Sequence, residues 1–545
     1  MDTPSRTSEP RAPARERVAH LGDFTLTPAV LRIVALAIPT GALASLTALA
    51  LLRLIGLITN LVFRGALSTD MTSPAAGHPR PWLVLGAPVL GGLVVGVMAR
   101  YGSEKIRGHG MPEAIEAILV GGSRVQPRVA ILKPVSAAIS IGTGGPFGAE
   151  GPIIMTGGAV GSILAQTLHL TADERKTLLC AGAAAGMAAT FNAPLAAVLL
   201  AVELLLFEWK PRSFVPVVAA VATSTLLRVP LLGAGAIFPM PLTGLHLTAG
   251  AEVLCVAAGA IGGLLAVAAT GIVYASEDAF ARLPLHWMWW PALGGLVIGV
   301  GGLVEPRALG VGYDVIDALL TGHAGMSLVV GILVVKTLIW GISLGSGTSG
   351  GVLAPVFMIG GALGALEGHV LPHVTPGFWA LIGLGAVVGG VMRSPLTGVV
   401  FPLELTHAWP LVLPLLIGAT SAYLLSALLL KRSVLTEKIA RRGLHLSREY
   451  AVDPLEVLLV DEVMDSAPPD EPVTVTVHPD DTLREAARRF AGAHEYVAAV
   501  TMREQPEVVI GHLTVEHLLE ARLRDLVGER HRERLLGRPL SVPAA

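Results

Sequence analysis

The sequence predicts an all-α polytopic membrane protein, built on a two-fold repeat of broken helices and followed by a small α/β domain. Three observations predict it. Apolar residues dominate the composition, long apolar runs alternate with shorter interrupted ones, and a block of mixed residue types recurs about 200 positions later.

Of 545 residues, 52% are hydrophobic and only 15% charged, and the mean hydropathy is +0.66. A soluble chain carries about a quarter charged residues. The 63 glycines, several inside apolar runs, suit membrane helices that pack closely. A formal net charge of −2 gives no reason to expect nucleic acid as a partner. Cys180 and Cys255 both lie in apolar stretches and read as packing residues, with no disulfide framework or metal spacing. The first 25 residues carry Arg6, Arg11, Arg15 and Arg17 among prolines and no apolar core. They read as a disordered tail, not a signal peptide, leaving the first helix as its own insertion signal.

Long apolar runs cover residues 31–62, 82–99, 253–273, 287–304, 328–344 and 411–430; a span takes about 20 residues. Shorter segments broken by Gly and Pro cover 129–141, 153–168, 195–207, 353–366 and 396–405. Broken backbone at membrane depth survives only against protein or a wet cavity, so a solute pathway is expected. Basic residues gather in the N-terminal tail and at Lys431, Arg432, Lys438, Arg441 and Arg442. The positive-inside tendency then puts both termini in the cytoplasm of a multi-pass cell-membrane protein. Trp287, Trp289 and Trp290 read as an interfacial anchor.

The repeat needs no outside knowledge. Lys133, Ile139, Ser140, Gly142, Gly144, Gly148, Pro152, Met155, Gly157, Gly158, Ala159 and Gly161 recur identically 203 positions later, as Lys336 through Gly364. Pro194 and Glu203 map onto Pro395 and Glu404 with an offset of 201, and Gly108 to Gly121 pairs loosely with Gly310 to Gly322. In membrane transporters such halves frame a midplane site between discontinuous helices.

Three Gly-rich stretches precede short helices: 108–112 (GHGMP), 148–152 (GAEGP) and 350–355 (GGVLAP). Glycine lets backbone N–H groups converge, and proline suits the first helical turn. Helix N-termini meeting in a membrane hold an anion without a full positive charge. Helix packing alone is the competing reading of each stretch taken singly. Residues 347–351 also fit G-x-S-x-G, so a membrane serine hydrolase built on Ser349 is the rival from another class, although the sequence places no base for it. Glu203 and Glu404 are intramembrane carboxylates, functional candidates by position, with bracing of equivalent helix junctions as the alternative.

From about residue 455 the composition turns charged. Val473, Val475 and Val477 alternate as a strand; a turn at 479–481, a helix at 483–490 and strands near 496–500 and 508–513 follow. This β-α-β-β-α order, with VTVHPDDTLREAARRF and GHLTVEHLL, resembles one CBS domain.

The stretches GGSRVQPRVAILKPVSAAISIGTGGPFGAEGP, AGAAAGMAATFNAPLAAVLLAVEL, LGSGTSGGVLAP and RSPLTGVVFPLEL resemble, in order and spacing, the signature regions of the CLC chloride channel/exchanger family over roughly residues 30–443. The resemblance implies an inverted-repeat fold, transport of chloride or similar small anions, and a homodimer with one pathway per subunit. It divides the chain into a tail (1–25), a transmembrane domain (26–443, halves 26–228 and 250–443), a linker (444–457), a CBS-like domain (458–525) and a tail (526–545). It implies that Glu150 is the gating carboxylate and that His109, Gly110, Ala149, Gly151, Leu353, Ala354 and Leu435 line the anion path. It makes Glu203 a proton-path candidate. Glu208, one turn beyond Leu204, is a second candidate.

Departures accompany it. His109 replaces the usual serine or proline, Leu353 a phenylalanine and Leu435 the pore tyrosine; Leu204 stands where exchangers often carry a second glutamate. His109 is therefore expected either to make anion binding pH-sensitive or to act only as a neutral hydrogen-bond partner, and Leu204 favours uncoupled, channel-like conduction over proton exchange. Chloride leads among the anions, with nitrate, bromide and fluoride open. No cofactor is expected apart from an adenine nucleotide at the CBS-like domain.

Overall fold

The computed structural model describes residues 24–530 apart from 25, 243 and 447–452. The tails expected at either end lie outside the described residues except for Phe24 and residues 526–530, as does the middle of the expected linker. The described chain divides into two compact units, residues 26–446 and 453–530.

The first unit is helical throughout. Its first half holds α1 (Ala29–Arg64), α2 (Pro81–Tyr101), α3 (Met111–Leu119), α4 (Pro127–Gly142), α5 (Glu150–Thr167), α6 (Ala172–Phe191), α7 (Pro194–Ala201) and α8 (Pro211–Leu232). The second holds α9 (Ala249–Ala281), α10 (Trp290–Val304), α11 (Tyr313–Leu320), α12 (Met326–Gly331), α13 (Thr337–Gly345), α14 (Leu353–Glu367), α15 (Phe378–Met392), α16 (Pro395–Thr406) and α17 (Val412–Leu429). The short α18 (Val434–Arg441) follows. Five helices, α2, α4, α7, α8 and α16, open on proline, where the missing N–H costs nothing and φ is already helical.

Among the described residues, seven stretches are long and apolar enough to cross a membrane. Six of them contain the runs expected above, and the five interrupted segments form α4, α5, α7, α14 and α16. The seventh, α8, went unanticipated because Pro216, Arg228 and Pro230 interrupt its apolar run. The guanidinium of Arg228 is satisfied locally, donating from Nε to the Ala189 carbonyl at 2.9 Å.

The repeat is visible in the structure at the level of single contacts. Gly110 and Gly312, each at the N-cap of its short helix, hold φ of +86° and +79°, left-handed values that favour glycine. Buried Lys133 donates from Nζ to the carbonyls of Ile106 (2.8 Å) and Gly108 (2.6 Å). Its equivalent Lys336 donates to those of Ala308 (2.8 Å) and Gly310 (2.7 Å). A Cβ on Gly157 would lie 2.3 Å from the Gly182 carbonyl oxygen, and one on Gly360 would lie 2.6 Å from that of Gly383. Helix packing is thus a real use of these glycines. Glu203, in the π-helical turn after α7, accepts from the N–H groups of Leu396 (3.2 Å) and Thr397 (3.0 Å) at the start of α16. Glu404, inside α16, accepts from Leu195 (3.0 Å) and Ala196 (2.8 Å) at the start of α7.

In the second unit, β1 (Thr476–Val477), β2 (Val497–Thr501) and β3 (Val509–Thr514) form a sheet in that order, β1 parallel and β3 antiparallel to β2. With α19 (Pro454–Val457), α20 (Leu483–Ala493) and α21 (Val515–Arg530), the β-α-β-β-α order expected from sequence is present. The first strand is shorter than its alternation suggested. Val475 and Val477 are buried while Thr476 is exposed, so the pattern faces a core, but only two residues join the ladder. Pro472 and Pro479 bracket it, and proline donates no N–H to a sheet.

Candidate functional site

Two helix N-termini meet at one point. The preceding loops exchange backbone hydrogen bonds between repeat-equivalent glycines, Gly148 N–H to the Gly351 carbonyl at 3.3 Å and Gly351 N–H to the Gly148 carbonyl at 2.7 Å. From there α5 departs at Glu150 and α14 at Leu353. Free N–H groups and the positive ends of both dipoles converge, as an anion requires.

Glu150 occupies that point itself. It is fully buried, and its Oε1 accepts from the Ala354 N–H at 2.8 Å. Its Oε2 has no partner among the described residues. A Cβ on Gly148 would lie 2.1 Å from either carboxylate oxygen, and one on Gly351 would lie 2.2 Å from Oε2. Glycine at both positions makes the slot that the carboxylate fills. A half-satisfied buried carboxylate is held weakly, because desolvating it costs several kcal/mol against about one charge-assisted hydrogen bond.

The other expected residues fall as follows. Ala149 is the N-cap of α5 and Gly151 its second residue, both buried. A Cβ on Gly151 would lie 1.7 Å from the His109 carbonyl oxygen, so α5 packs directly against the loop that opens α3. Gly110 lies on the same contact, with the Gly151 carbonyl oxygen 2.9 Å from where its Cβ would be. The His109 side chain is 5% exposed, and its Nδ1 has no partner among the described residues. Leu353 and Leu435 are both fully buried in the same hydrophobic cluster. Leu435 offers no donor, and the nearby phenol of Tyr274 is committed to the Val434 carbonyl at 2.5 Å.

The two proton-path candidates differ. Glu203 is occupied as the cap of α16, with Thr397 Oγ1 also donating at 2.6 Å. Glu208 is half-buried among Lys176 (3.7 Å), Lys210 (3.9 Å) and Arg212 (3.9 Å), and accepts from Ser213 Oγ at 2.5 Å. Leu204, between the two along the chain, is 2% exposed.

Lys133 and Lys336, which the sequence reading used only as marks of the repeat, brace the loops that lead into α3 and α11. A lysine inside an apolar run was the available signal. Lys133 also bears on the serine motif, because its Nζ donates to Ser349 Oγ at 3.1 Å and Ser136 Oγ donates to the same atom at 3.0 Å. An ammonium already donating to two carbonyls has no lone pair with which to activate a nucleophile, and Ser349 is fully buried. The motif is a structural latch between the loop at 106–108 and the loop at 347–351.

Residues 91–427 match the family model described as "Voltage gated chloride channel". Among curated relatives, a putative chloride channel protein ClcB-like from Ralstonia nicotianae is 29% identical over 410 residues, covering 71% of this chain and 94% of its own. The voltage-gated ClC-type chloride channel ClcB of Salmonella typhimurium is 30% identical over 375 residues, covering 67% and 89%. The H(+)/Cl(-) exchange transporter ClcA of Citrobacter koseri is 32% identical over 343 residues, covering 58% and 70%. Among solved structures, a slow cyanobacterial Cl-/H+ antiporter superposes with a TM-score of 0.65 at 22% identity, covering 77% of this chain and 99% of that one. A CLC-type fluoride/proton antiporter gives 0.64 at 20%, covering 74% and 97%. At these identities the two structures speak for the fold.

Proposed function

The chain belongs to the voltage gated chloride channel family, a family of anion transporters, and on that premise we propose that it exchanges small inorganic anions, chloride first, for protons. The observation that carries the reading is the Glu150 carboxylate lying on the Ala354 N–H where two helix N-termini converge. A single carboxylate there competes with the anion when ionised and carries a proton when neutral, so the two fluxes share one group. The likeness to a relative named as a proton/chloride exchanger supports this reading over channel-like conduction. His109, Gly110, Ala149, Gly151, Leu353, Ala354 and Leu435 line the path in this reading, with Glu203 and then Glu208 as inner proton acceptors.

In sealed liposomes a chloride gradient is expected to drive protons uphill through the purified protein, and Glu150→Ala is expected to abolish the proton movement. Uncoupled conduction is the second reading, favoured by Leu204, which leaves an apolar buried side chain where a proton acceptor is wanted. Chloride movement with no uphill proton flux decides for it.

The protein is further proposed to act as a homodimer in the cell membrane with both termini cytoplasmic. The second unit is proposed as a regulatory CBS-like domain that takes an adenine nucleotide. Its β-α-β-β-α order supports this. Calorimetry on the full chain is expected to show heat with ATP, ADP or AMP; none with any of them removes the nucleotide.

A further inference from the structure

A cavity of about 100 Å³ lies in the first unit where the loop after α1 meets the start of α11, lined by Thr59, Met71, Ser73, Ile141, Gly312 and Tyr313 among others. With a water's share of the liquid near 30 Å³, it has room for about three waters. Tyr313, the first residue of α11, is half-buried at this cavity, yet its Oη is fully buried. The ring therefore reaches inward from the cavity wall.

Neighbouring contacts fix what it reaches. The Gly310 N–H donates to the Gly144 carbonyl at 3.1 Å, tying the turn before α11 to the loop that leads into Glu150. A Cβ on Gly312 would collide with the side chain of Met358, one turn beyond Ala354 in α14. The phenol ring is held edge-on against Phe238, with centroids 5.6 Å apart and planes at 74°. The Glu150 carboxylate acts electrostatically on the phenol. These two groups are complementary in what they lack. Tyr313 Oη has no partner among the described residues and can donate; Glu150 Oε2 has none and can accept. The repeat does not ask for a phenol here, since the equivalent residue is Met111.

We propose that Tyr313 is a positioning residue for Glu150, its phenol donating to the carboxylate when that group leaves the Ala354 N–H. The proposal rests on the transport reading above and gives the displaced carboxylate a second berth. A phenol-to-carboxylate bond is charge-assisted, so the slot is freed for an anion while the carboxylate stays hydrogen-bonded. Without the phenol, an ionised Glu150 has the slot or an unsatisfied burial, and the slot wins. The other charged groups around the pair have partners of their own. Lys336 acts on Glu150 but donates to the Ala308 and Gly310 carbonyls. Arg228 acts on Tyr313 but donates to Ala189, and Asp314 pairs with Arg307 at 3.8 Å.

The test measures chloride flux in liposomes and chloride titration calorimetry on the solubilised full chain. Both are made for Tyr313→Phe in the wild-type and Glu150→Ala backgrounds. Phenylalanine keeps the ring and removes only the hydroxyl. At about pH 8 the substitution is expected to lower flux and chloride affinity about tenfold, the loss of one charge-assisted hydrogen bond. At about pH 4.5, with the carboxyl neutral, the loss is expected to be about threefold or less, so the pH profile steepens. In Glu150→Ala the same substitution is expected to change neither quantity at any pH. Titration of Lys336 or Asp314 would persist in that background and is thereby separated from that of Glu150. An equal loss in both backgrounds, or no loss at about pH 8 in wild type, overturns the proposal and leaves Tyr313 as a packing partner of Phe238. Liposomes that move no chloride in any variant refute the transport reading alone, because the calorimetric comparison still decides the contact.

Discussion

Glu150→Ala and Glu150→Gln will carry anion flux that is nearly flat between about pH 4.5 and pH 8, where wild type changes by up to about tenfold per pH unit as a single carboxyl titrates. The sign follows from the slot. The ionised carboxylate holds the Ala354 N–H against the permeating anion, so wild-type flux rises as pH falls and protons remove the competitor. The variants lack an ionisable group there and have nothing to titrate. Gly351→Ala reaches the same end from the other side, since its Cβ would lie 2.2 Å from Oε2 and evicts the carboxylate. It also crowds the Gly148 carbonyl at 2.6 Å, so a lower melting temperature is expected to accompany its flatter profile. Superimposable pH profiles for wild type and Glu150→Ala would reduce Glu150 to a helix-end carboxylate worth about 0.3–1 kcal/mol of stability.

Lys336→Met will destabilise the protein by roughly 2–6 kcal/mol, because it leaves the buried carbonyls of Ala308 and Gly310 without a donor and each orphaned group costs about 1–3 kcal/mol. Methionine preserves the length of the stem, so little of the loss is cavity. Lys133→Met is expected to cost about as much, through Ile106 and Gly108, and to do something further. It removes one of the two hydrogen bonds to Ser349 Oγ, leaving that of Ser136, and so loosens the contact between the two loops. Thermal melts in detergent should therefore fall for both variants, while flux per folded protein falls more for Lys133→Met than for Lys336→Met. Melts equal to wild type would mean that water or the backbone replaces the lysines, and that they do not hold the loops.

Much of this architecture was written in the sequence because its determinants are local. A run of apolar residues is a span wherever it lies, and a proline at a helix start states its own position. The repeat was readable because identities of several residue types in one register rarely arise by chance. α8 was lost to its two prolines and Arg228, whose cost is met by a carbonyl on another helix. α6 was lost for the opposite reason. Its run of alanines and glycines carried only the family resemblance and was not read as a helix, yet every residue from Thr177 to Phe191 is buried.

The site was legible in part. Glu150 was found through the resemblance of its GAEGP stretch to a family signature, a local match. The clearance that Gly351 gives its carboxylate was not legible, because it joins positions some 200 residues apart. The tryptophans were visible as a membrane anchor, but nothing in the order of residues says that Arg107 lies over Trp287 and Trp290.

The exchanged glutamates at the starts of α7 and α16 carry a consequence for how such a chain can arise and be taken apart. The acid of the first half terminates a helix of the second, and the reverse holds with the same chemistry. A half expressed alone would own a glutamate with no helix end to serve and a helix end with no glutamate. Two copies of one half, by contrast, would satisfy each other by symmetry, as the fused halves do now. Separating the chain between α8 and α9 should therefore yield fragments that are insoluble apart and that recover their fold only when made together.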